Sequence, residues 1–302
     1  MTTPVILTGA GSFLGAYVLK VLDAEGIDTF ALSRQAATVC ARLGLSERIR
    51  PVEIDLSASS MNWLPPAGGP YSIIHLAFDR MASGSSTDGA ETNRRITRNI
   101  LDLRRNAHIA TIVNASSTSV YGKPEGGLVS AETAPRSPSE YGTAKLLAEQ
   151  LLADSVDAGT NSVFSIRLPA VLGAGAHPEN WLVRVAQSMQ EHAEIAYQSP
   201  DFLFNNAVHG AGVGAFFVKL SQVGAPAGDV TFPIGAAPGP RLRDMLERMR
   251  DRLESRSALT VHPATSTPFA IDNATAEGHG YKAEPIETVL DRYLDDLAGN
   301  IS

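Results

Sequence analysis

Tyr141 and Lys145 stand four residues apart in the stretch Tyr141-Gly-Thr-Ala-Lys145. On a helix that spacing puts both side chains on one face, one turn apart. A free phenol titrates near pH ~10 and is a poor acid–base group at neutral pH. An ammonium held within a few ångström favours the phenolate and lowers that value by about 1–3 units. The pair then suits proton movement to and from a carbonyl or hydroxyl oxygen. The same spacing occurs on ordinary helices, so its company decides the reading. That company is a glycine-rich turn near the N-terminus and the serine-rich run Ala115-Ser-Ser-Thr-Ser119 upstream.

The elements that must position these residues follow one another along the chain. Residues 4–8 (PVILT) read as a buried parallel strand. The strand breaks into Gly9-Ala-Gly-Ser-Phe-Leu-Gly15, and a helical pattern follows over residues 16–25. Strand, glycine turn and helix form the context of a dinucleotide fingerprint, in which glycines allow close approach and a helix N-terminus offers N–H groups to a pyrophosphate. A second strand over residues 28–33 ends in Ser33-Arg34. An NAD site usually presents a carboxylate there; an arginine suits a 2′-phosphate instead, which favours NADP over NAD. A helix over residues 35–43 leads to a third strand around residues 52–54, which ends at Asp55-Leu56, a candidate adenine contact. Residues 71–76 form the fourth strand, in which His75 reads as a packed core histidine. The Gly/Ser-rich residues 82–89 read as a mobile loop, and a long helix spans residues 89–106.

The fifth strand, residues 109–114, opens into the serine-rich turn, where hydroxyls at the carboxyl end of a parallel strand meet ligands in open α/β sheets. The helix of Tyr141 runs to about residue 156, and the sixth strand covers residues 163–168. Beyond Pro169 the alternation weakens: helices are expected over 180–191, 211–222 and 240–254, and strands over 202–208 and 230–234. The expected fold is α/β, a Rossmann-like doubly wound parallel sheet with a small C-terminal substrate-binding region. The boundary falls near residue 170, so that residues 1–170 bind the nucleotide and 171–302 cover the substrate, interleaved with the last sheet elements.

Composition bounds the alternatives. The 302 residues are 44% hydrophobic and 19% charged, as in ordinary globular proteins, and can bury a sizeable core. The net charge of −7 argues against a nucleic-acid or anionic-membrane binder. The single cysteine, Cys40, excludes an internal disulfide and reads as a small apolar residue. The seven histidines show no metal-binding spacing, so no metal is expected. No apolar run of about 18 residues and no signal-peptide pattern is present, which makes the cytoplasm the default compartment and leaves no membrane span to expect.

Taken together, Gly9-x-Gly-Ser-x-x-Gly15, His75-Leu-Ala77, Ser116-Ser-x-x-Val-Tyr-Gly122, Ser137-Pro-x-x-Tyr141-x-x-x-Lys145 and Arg167-Leu-Pro169 resemble the extended short-chain dehydrogenase/reductases. Within them the chain is similar to the NAD-dependent epimerase/dehydratase branch that acts on nucleotide sugars. The resemblance implies Tyr141 as the acid–base residue and Lys145 as the residue that binds the nicotinamide ribose and tunes Tyr141. It implies Ser117, or its neighbour Thr118, as the hydrogen-bond partner of the reacting oxygen, and Asn93 as a support. It places Gly9, Gly11, Ser12, Phe13, Leu14 and Gly15 at the pyrophosphate, Ser33 and Arg34 at the adenosine ribose, and Asp55 and Leu56 at the adenine. Leu76, Ala77 and Pro169 fall to the nicotinamide half. Phe204-Asn-Asn-Ala-Val-His209 resembles the branch's substrate-domain strand and makes Asn206 a candidate substrate contact. A homodimer through the helices of residues 89–106 and 141–156 is implied as well.

Three departures accompany the resemblance: Ser12 at the usual middle glycine, Pro169 at a common asparagine, and Gly212 where an acidic residue is expected. The implied activity is hydride exchange between a nicotinamide and a carbonyl or hydroxyl carbon, with a keto-sugar reductase favoured by Arg34. A nucleotide-sugar epimerase with tightly held NAD, a reductase of non-sugar carbonyls and a catalytically silent NADP sensor remain open beside it.

Overall fold

The computed structural model describes residues 2–79, 86–156, 161–223 and 228–299. In chain order, β1 (Val5–Thr8), α1 (Phe13–Ala24), β2 (Thr29–Ser33), α2 (Ala36–Leu43) and β3 (Ile49–Glu53) are followed by β4 (Tyr71–His75), α3 (Ser86–Asn106) and β5 (Ile109–Ser117). A 3₁₀ turn (Thr118–Tyr121) then leads to β6 (Leu128–Val129), α4 (Glu140–Ala153), β7 (Ser162–Leu168), β8 (Ala170–Leu172) and α5 (Trp181–Gln190). The rest comprises β9 (Ile195–Tyr197), β10 (Ala207–His209), α6 (Gly210–Gln222), β11 (Gly228–Pro233), α7 (Leu242–Arg252), β12 (Leu259–Val261), β13 (Ala270–Ile271), α8 (Ala274–Gly278) and α9 (Ile286–Leu297).

The chain divides into two compact units, and neither is contiguous. The first comprises Met1–Gly122, Pro135–Arg167 and Val213–Phe232; the second comprises Lys123–Ala134, Leu168–Gly212 and Pro233–Ser302. In the first unit a seven-stranded sheet has the order β11-β7-β5-β4-β1-β2-β3. Every pairing from β3 through β5 is parallel, with α1, α2 and α3 as the crossovers from β1 to β2, β2 to β3 and β4 to β5. The order reverses between β1 and β4, and Thr8 pairs with His75 there. Open α/β sheets bind ligands at the carboxyl ends of strands flanking such a switch point. This is the Rossmann-like architecture anticipated from the strand–helix alternation.

The all-apolar strands are buried on both faces. Ile6, Ile73 and Ile112 pack with Ile100 and Leu103 of α3 and Leu152 of α4. β5 runs to Ser117 and carries the first serines of the turn within the ladder, three residues past the expected end. β3 lies earlier than expected, with Pro51 inside it; an edge strand tolerates the missing N–H. Of residues 82–89, 82–85 lie outside the described residues and 86–89 open α3.

The second unit has its own apolar centre, built from Leu182 and Met189 of α5, Met245 and Met249 of α7, and Leu290 and Tyr293 of α9. The strand expected over 202–208 is reduced to Ala207–His209. Asn205 explains the difference: its side chain donates to the carbonyls of Ala236 (3.2 Å) and Ile271 (2.8 Å) and accepts from Ile271 N (2.9 Å). These bonds fix the segment in place of a strand ladder. α9, which ends the described chain, was not anticipated. No helix among the described residues is long and apolar enough to cross a membrane.

Candidate active site

The glycine turn is shaped first by the protein's own packing. Gly9 has φ of +70°, and a Cβ there would lie 2.7 Å from Ala77 N. A Cβ on Gly15 would lie 2.5 Å from Gly9 O. Both positions therefore exclude a side chain by contact with backbone alone. Gly11 differs: the nearest atom to a Cβ there is Ser33 Oγ at 3.5 Å, an ordinary contact. The fold leaves room for a side chain at Gly11, and glycine keeps that space open on the exposed side of the turn.

Ser12 caps α1, its Oγ accepting from Gly15 N at 3.0 Å. The departure at this position thus serves the helix, and one N–H of the α1 terminus is already engaged. Phe13 packs edge to face on Tyr17, and Leu14 is buried in the core.

At the ends of β2 and β3, neighbours in the sheet, Ser33, Arg34 and Asp55 come together. Ser33 Oγ accepts from Gln35 N (3.3 Å), and Arg34 is exposed. Asp55 accepts from Ser57 Oγ (2.6 Å) and N (2.9 Å); these bonds, aided by the charge of Arg34, hold its carboxyl below the usual range. Leu56 is buried, and its carbonyl accepts from Asn99 Nδ2 (2.9 Å), which ties the segment to α3.

The chemistry-bearing groups gather at the ends of β4 and β5. Tyr141 lies in the first turn of α4, which Ser139 caps through Gly142 N (3.2 Å). A Cβ on Gly142 would lie 2.3 Å from Ser119 O, so the absent side chain lets α4 seat directly on the 3₁₀ turn after Ser117. Ser117 Oγ accepts from Ser119 N at 3.1 Å, which uses an acceptor site and leaves its O–H able to donate. Thr118 follows, half-buried in the turn. Lys145 is buried, and its ammonium donates to Ala115 O of β5 at 2.8 Å. That ammonium lies 6.0 Å from the Tyr141 ring centroid and 3.9 Å from that of Phe78. Asn93 Oδ1 accepts from Asp79 N (2.7 Å) and its Nδ2 donates to Asp79 O (2.9 Å), holding the segment that follows Leu76-Ala77-Phe78.

His75 is a core histidine. It shares a 2.7 Å hydrogen bond with Thr8 Oγ1, and burial together with the Lys145 charge pushes its pKa down to about 3. It is neutral at physiological pH.

Sequence reasoning did not single out a buried polar cluster behind this site. Glu149, one turn beyond Lys145, accepts from Arg167 Nε (3.1 Å) and Nη2 (2.8 Å) and from Ser116 Oγ. The Arg167 guanidinium lies 4.8 Å from the Tyr121 ring centroid. Burial works against the Arg167 charge, but the Glu149 bonds outweigh it and raise the pKa. Burial and the Glu149 charge push the Asp229 carboxyl up. The available signal was Glu149 at a further four-residue step on the face of Tyr141 and Lys145.

The remaining predicted positions, Pro169 and Asn206, belong to the second unit. Asn206 Nδ2 donates to Phe269 O (2.7 Å), while its Oδ1 is buried without a hydrogen-bond partner among the described residues. No group of His, Cys, Asp or Glu among the described residues could hold a metal ion.

Residues 5–204 match the family described as the NAD dependent epimerase/dehydratase family. The chain belongs to that family. It is 28% identical over 179 residues to a UDP-glucose 4-epimerase of Azospirillum brasilense, a match that covers 58% of this chain and 50% of that protein. It is 25% identical over 130 residues to a dTDP-4-dehydro-6-deoxy-D-allose reductase of a Streptomyces species, covering 39% of this chain and 38% of that one. The chain spans half or less of the length of the curated relatives it matches. In fold it is similar to MoeE5, solved in complex with UDP-glucose and NAD, with a TM-score of 0.77, 21% identity and coverage of 99% and 100% of the two chains.

Gly212, where an acidic residue was expected, has a carboxylate as its neighbour. The Glu284 carboxylate lies 3.7 Å from where a Gly212 Cβ would stand and pairs with Arg292 at 2.9 Å. At 3.7 Å this is an ordinary contact, so the fold leaves room for a side chain at 212.

Proposed function

We propose that the chain exchanges a hydride between a nicotinamide cofactor and a carbonyl or hydroxyl carbon of a nucleotide-activated sugar, acting as a keto-sugar reductase. The observation that carries this reading is the anchoring of the Lys145 ammonium to Ala115 O, beside Tyr141 and at the strand end that delivers Ser117. The cradle fits a dinucleotide: Gly11 keeps open a space the protein does not need, beside the N-terminus of a 12-residue helix. Gly9, Gly11, Ser12, Gly15 and the backbone of Phe13 and Leu14 would hold the pyrophosphate. Ser33 and Arg34 would hold the adenosine ribose, Asp55 and Leu56 the adenine, and Lys145, Leu76 and Ala77 the nicotinamide half. The nicotinamide, when bound, supplies or accepts the hydride. Tyr141 moves the proton at the substrate oxygen, Ser117 donates a hydrogen bond to that oxygen with Thr118 beside it, and Lys145 favours the phenolate. Asn206 of the second unit is retained as a candidate substrate contact on the resemblance of its strand alone.

Arg34, with no carboxylate at the end of β2, supports NADP as the cofactor. A second reading, an epimerase with retained NAD, is supported by the similarity to a UDP-glucose 4-epimerase and by the family's NAD dependence. Denaturing the purified protein and identifying released nucleotide by mass spectrometry separates the two, with NADPH and NADH titrations alongside. Released NAD would overturn the reductase, whereas tighter uptake of NADPH by an empty site supports it. Tyr141→Phe is expected to retain cofactor binding and to lose at least about 10²-fold in turnover. Full turnover in that variant would remove Tyr141 from its role. We also propose self-association through α3 and α4, supported by a 350 Å³ groove lined by Ala90, Thr97, Ala144, Leu147 and Leu151. A monomeric mass by light scattering would overturn it.

A further inference from the structure

An aromatic ring that none of the motifs accounts for stands beside the Tyr141–Lys145 pair. Phe78 follows Ala77 after β4 and takes the Lys145 ammonium over its face, 3.9 Å from Nζ to the ring centroid. The same ring meets Tyr141 edge to face, with centroids 5.3 Å apart and planes at 82°. Its backbone is secured one residue on, where Asn93 of α3 bonds both N and O of Asp79. α4 thus meets this ring directly, and α3 holds the backbone beside it.

We propose that Phe78 is a positioning residue whose ring fixes the Lys145 ammonium beside Tyr141 and keeps water out of the corner between them. The proposal rests on the reading of Tyr141 and Lys145 as the proton-moving pair. A lysine ammonium on a four-carbon stem has many rotamers, and each bond that selects one counts. Ala115 O supplies one such bond, and the ring quadrupole supplies a second attraction, which strengthens where water is excluded. A leucine at 78 retains apolar bulk but has no quadrupole; a tyrosine retains the ring face. Other titratable or charged groups near the pair are His75 on β4, neutral, Glu149 on α4, engaged by Arg167 and Ser116, Glu140, exposed next to Tyr141 in the first turn of α4, and Asp79, exposed beyond the ring. None of them is altered by a substitution at 78, so a change in Tyr141 ionisation reports on Lys145.

The test labels the tyrosine ζ carbons of the full chain with ¹³C and follows the seven signals with pH. Tyr141 is assigned by its loss in Tyr141→Phe, and the extra signal of Phe78→Tyr is assigned in the same background. Phe78→Leu is expected to raise the Tyr141 midpoint by about 1 pH unit, while Phe78→Tyr leaves it in place. A ring that served only packing would lower the melting temperature of Phe78→Leu without moving that midpoint. An unmoved midpoint in Phe78→Leu, with a raised one in Lys145→Met, overturns the proposal and leaves the pair intact. An equal rise in Phe78→Leu and Phe78→Tyr overturns the argument from the ring face. An unmoved midpoint in Lys145→Met removes the pair itself, and the role of Phe78 with it. Should Phe78→Leu not fold, Phe78→Met is read in its place.

Discussion

Glu149 turns the helix of Tyr141 and Lys145 into a grip on β5. Lys145 holds the Ala115 carbonyl, and four residues on Glu149 holds the Ser116 hydroxyl, so the two residues before Ser117 are both tied to α4. The carboxylate also takes the Arg167 guanidinium with two bonds, and both side chains are under a tenth exposed. Removing one member of a buried pair strands the other, at a cost of about 3–5 kcal/mol. Urea denaturation of Glu149→Gln is expected to show a loss in that range; a loss under about 1 kcal/mol would show that the pair does not matter to the fold. Tyr141, Lys145 and the serine turn were legible because their spacing is short and local. Glu149 was not, because a glutamate on a helix reads as solvated and its partner lies on a strand that only the fold brings near. Phe78 carries no periodic signal; what marks it is the ammonium it meets, a contact made only after β4 and α4 are in place.

At the scale of elements, the seating of α4 on the 3₁₀ turn depends on Gly142. Helix propensity alone would favour alanine there by about 1 kcal/mol. Sterics decide otherwise, since the new Cβ would stand 2.3 Å from Ser119 O and 2.8 Å from Ser119 C. Gly142→Ala is therefore expected to cost about 1–3 kcal/mol in thermal or urea unfolding, because backbone has to move. A neutral or stabilising alanine would show that α4 and the turn are not packed as described. The buried strands β1, β2, β4 and β7 were readable as apolar runs, and the helices of the sheet as helical patterns between them. β3 was read too late in the chain because Arg50 and Pro51 interrupt its apolar pattern, as an edge position permits. The stretch before β10 was read as strand because Asn205 and Asn206 look like interruptions in a strand, whereas Asn205 in fact replaces the ladder with side-chain bonds.

For the whole molecule, acid sensitivity follows from His75. Its pKa is lowered from 6.5 to about 3 in the folded chain, so the unfolded chain binds the proton that the folded chain refuses. The contribution is constant above pH about 6.5 and is lost as pH falls from there toward about 3, by at most about 1.4 kcal/mol per pH unit. Urea unfolding at pH 7 and pH 5 should show this loss in the native sequence and a smaller one in His75→Gln, which can still bond Thr8. Equal losses in the two proteins would remove His75 as the cause.

The discontinuous division of the chain also sets an order of events at the ribosome. β7 is complete at Leu168, but β11, its neighbour on the outer side of the sheet, begins only at Gly228. At about 5–20 residues per second, roughly 3–12 s separate the synthesis of the two strands. Throughout that interval β7, all of whose residues end up buried, presents an open hydrogen-bonding edge. The nascent chain is then at its most receptive to a chaperone, and equally to strand addition from a second chain growing on the same message.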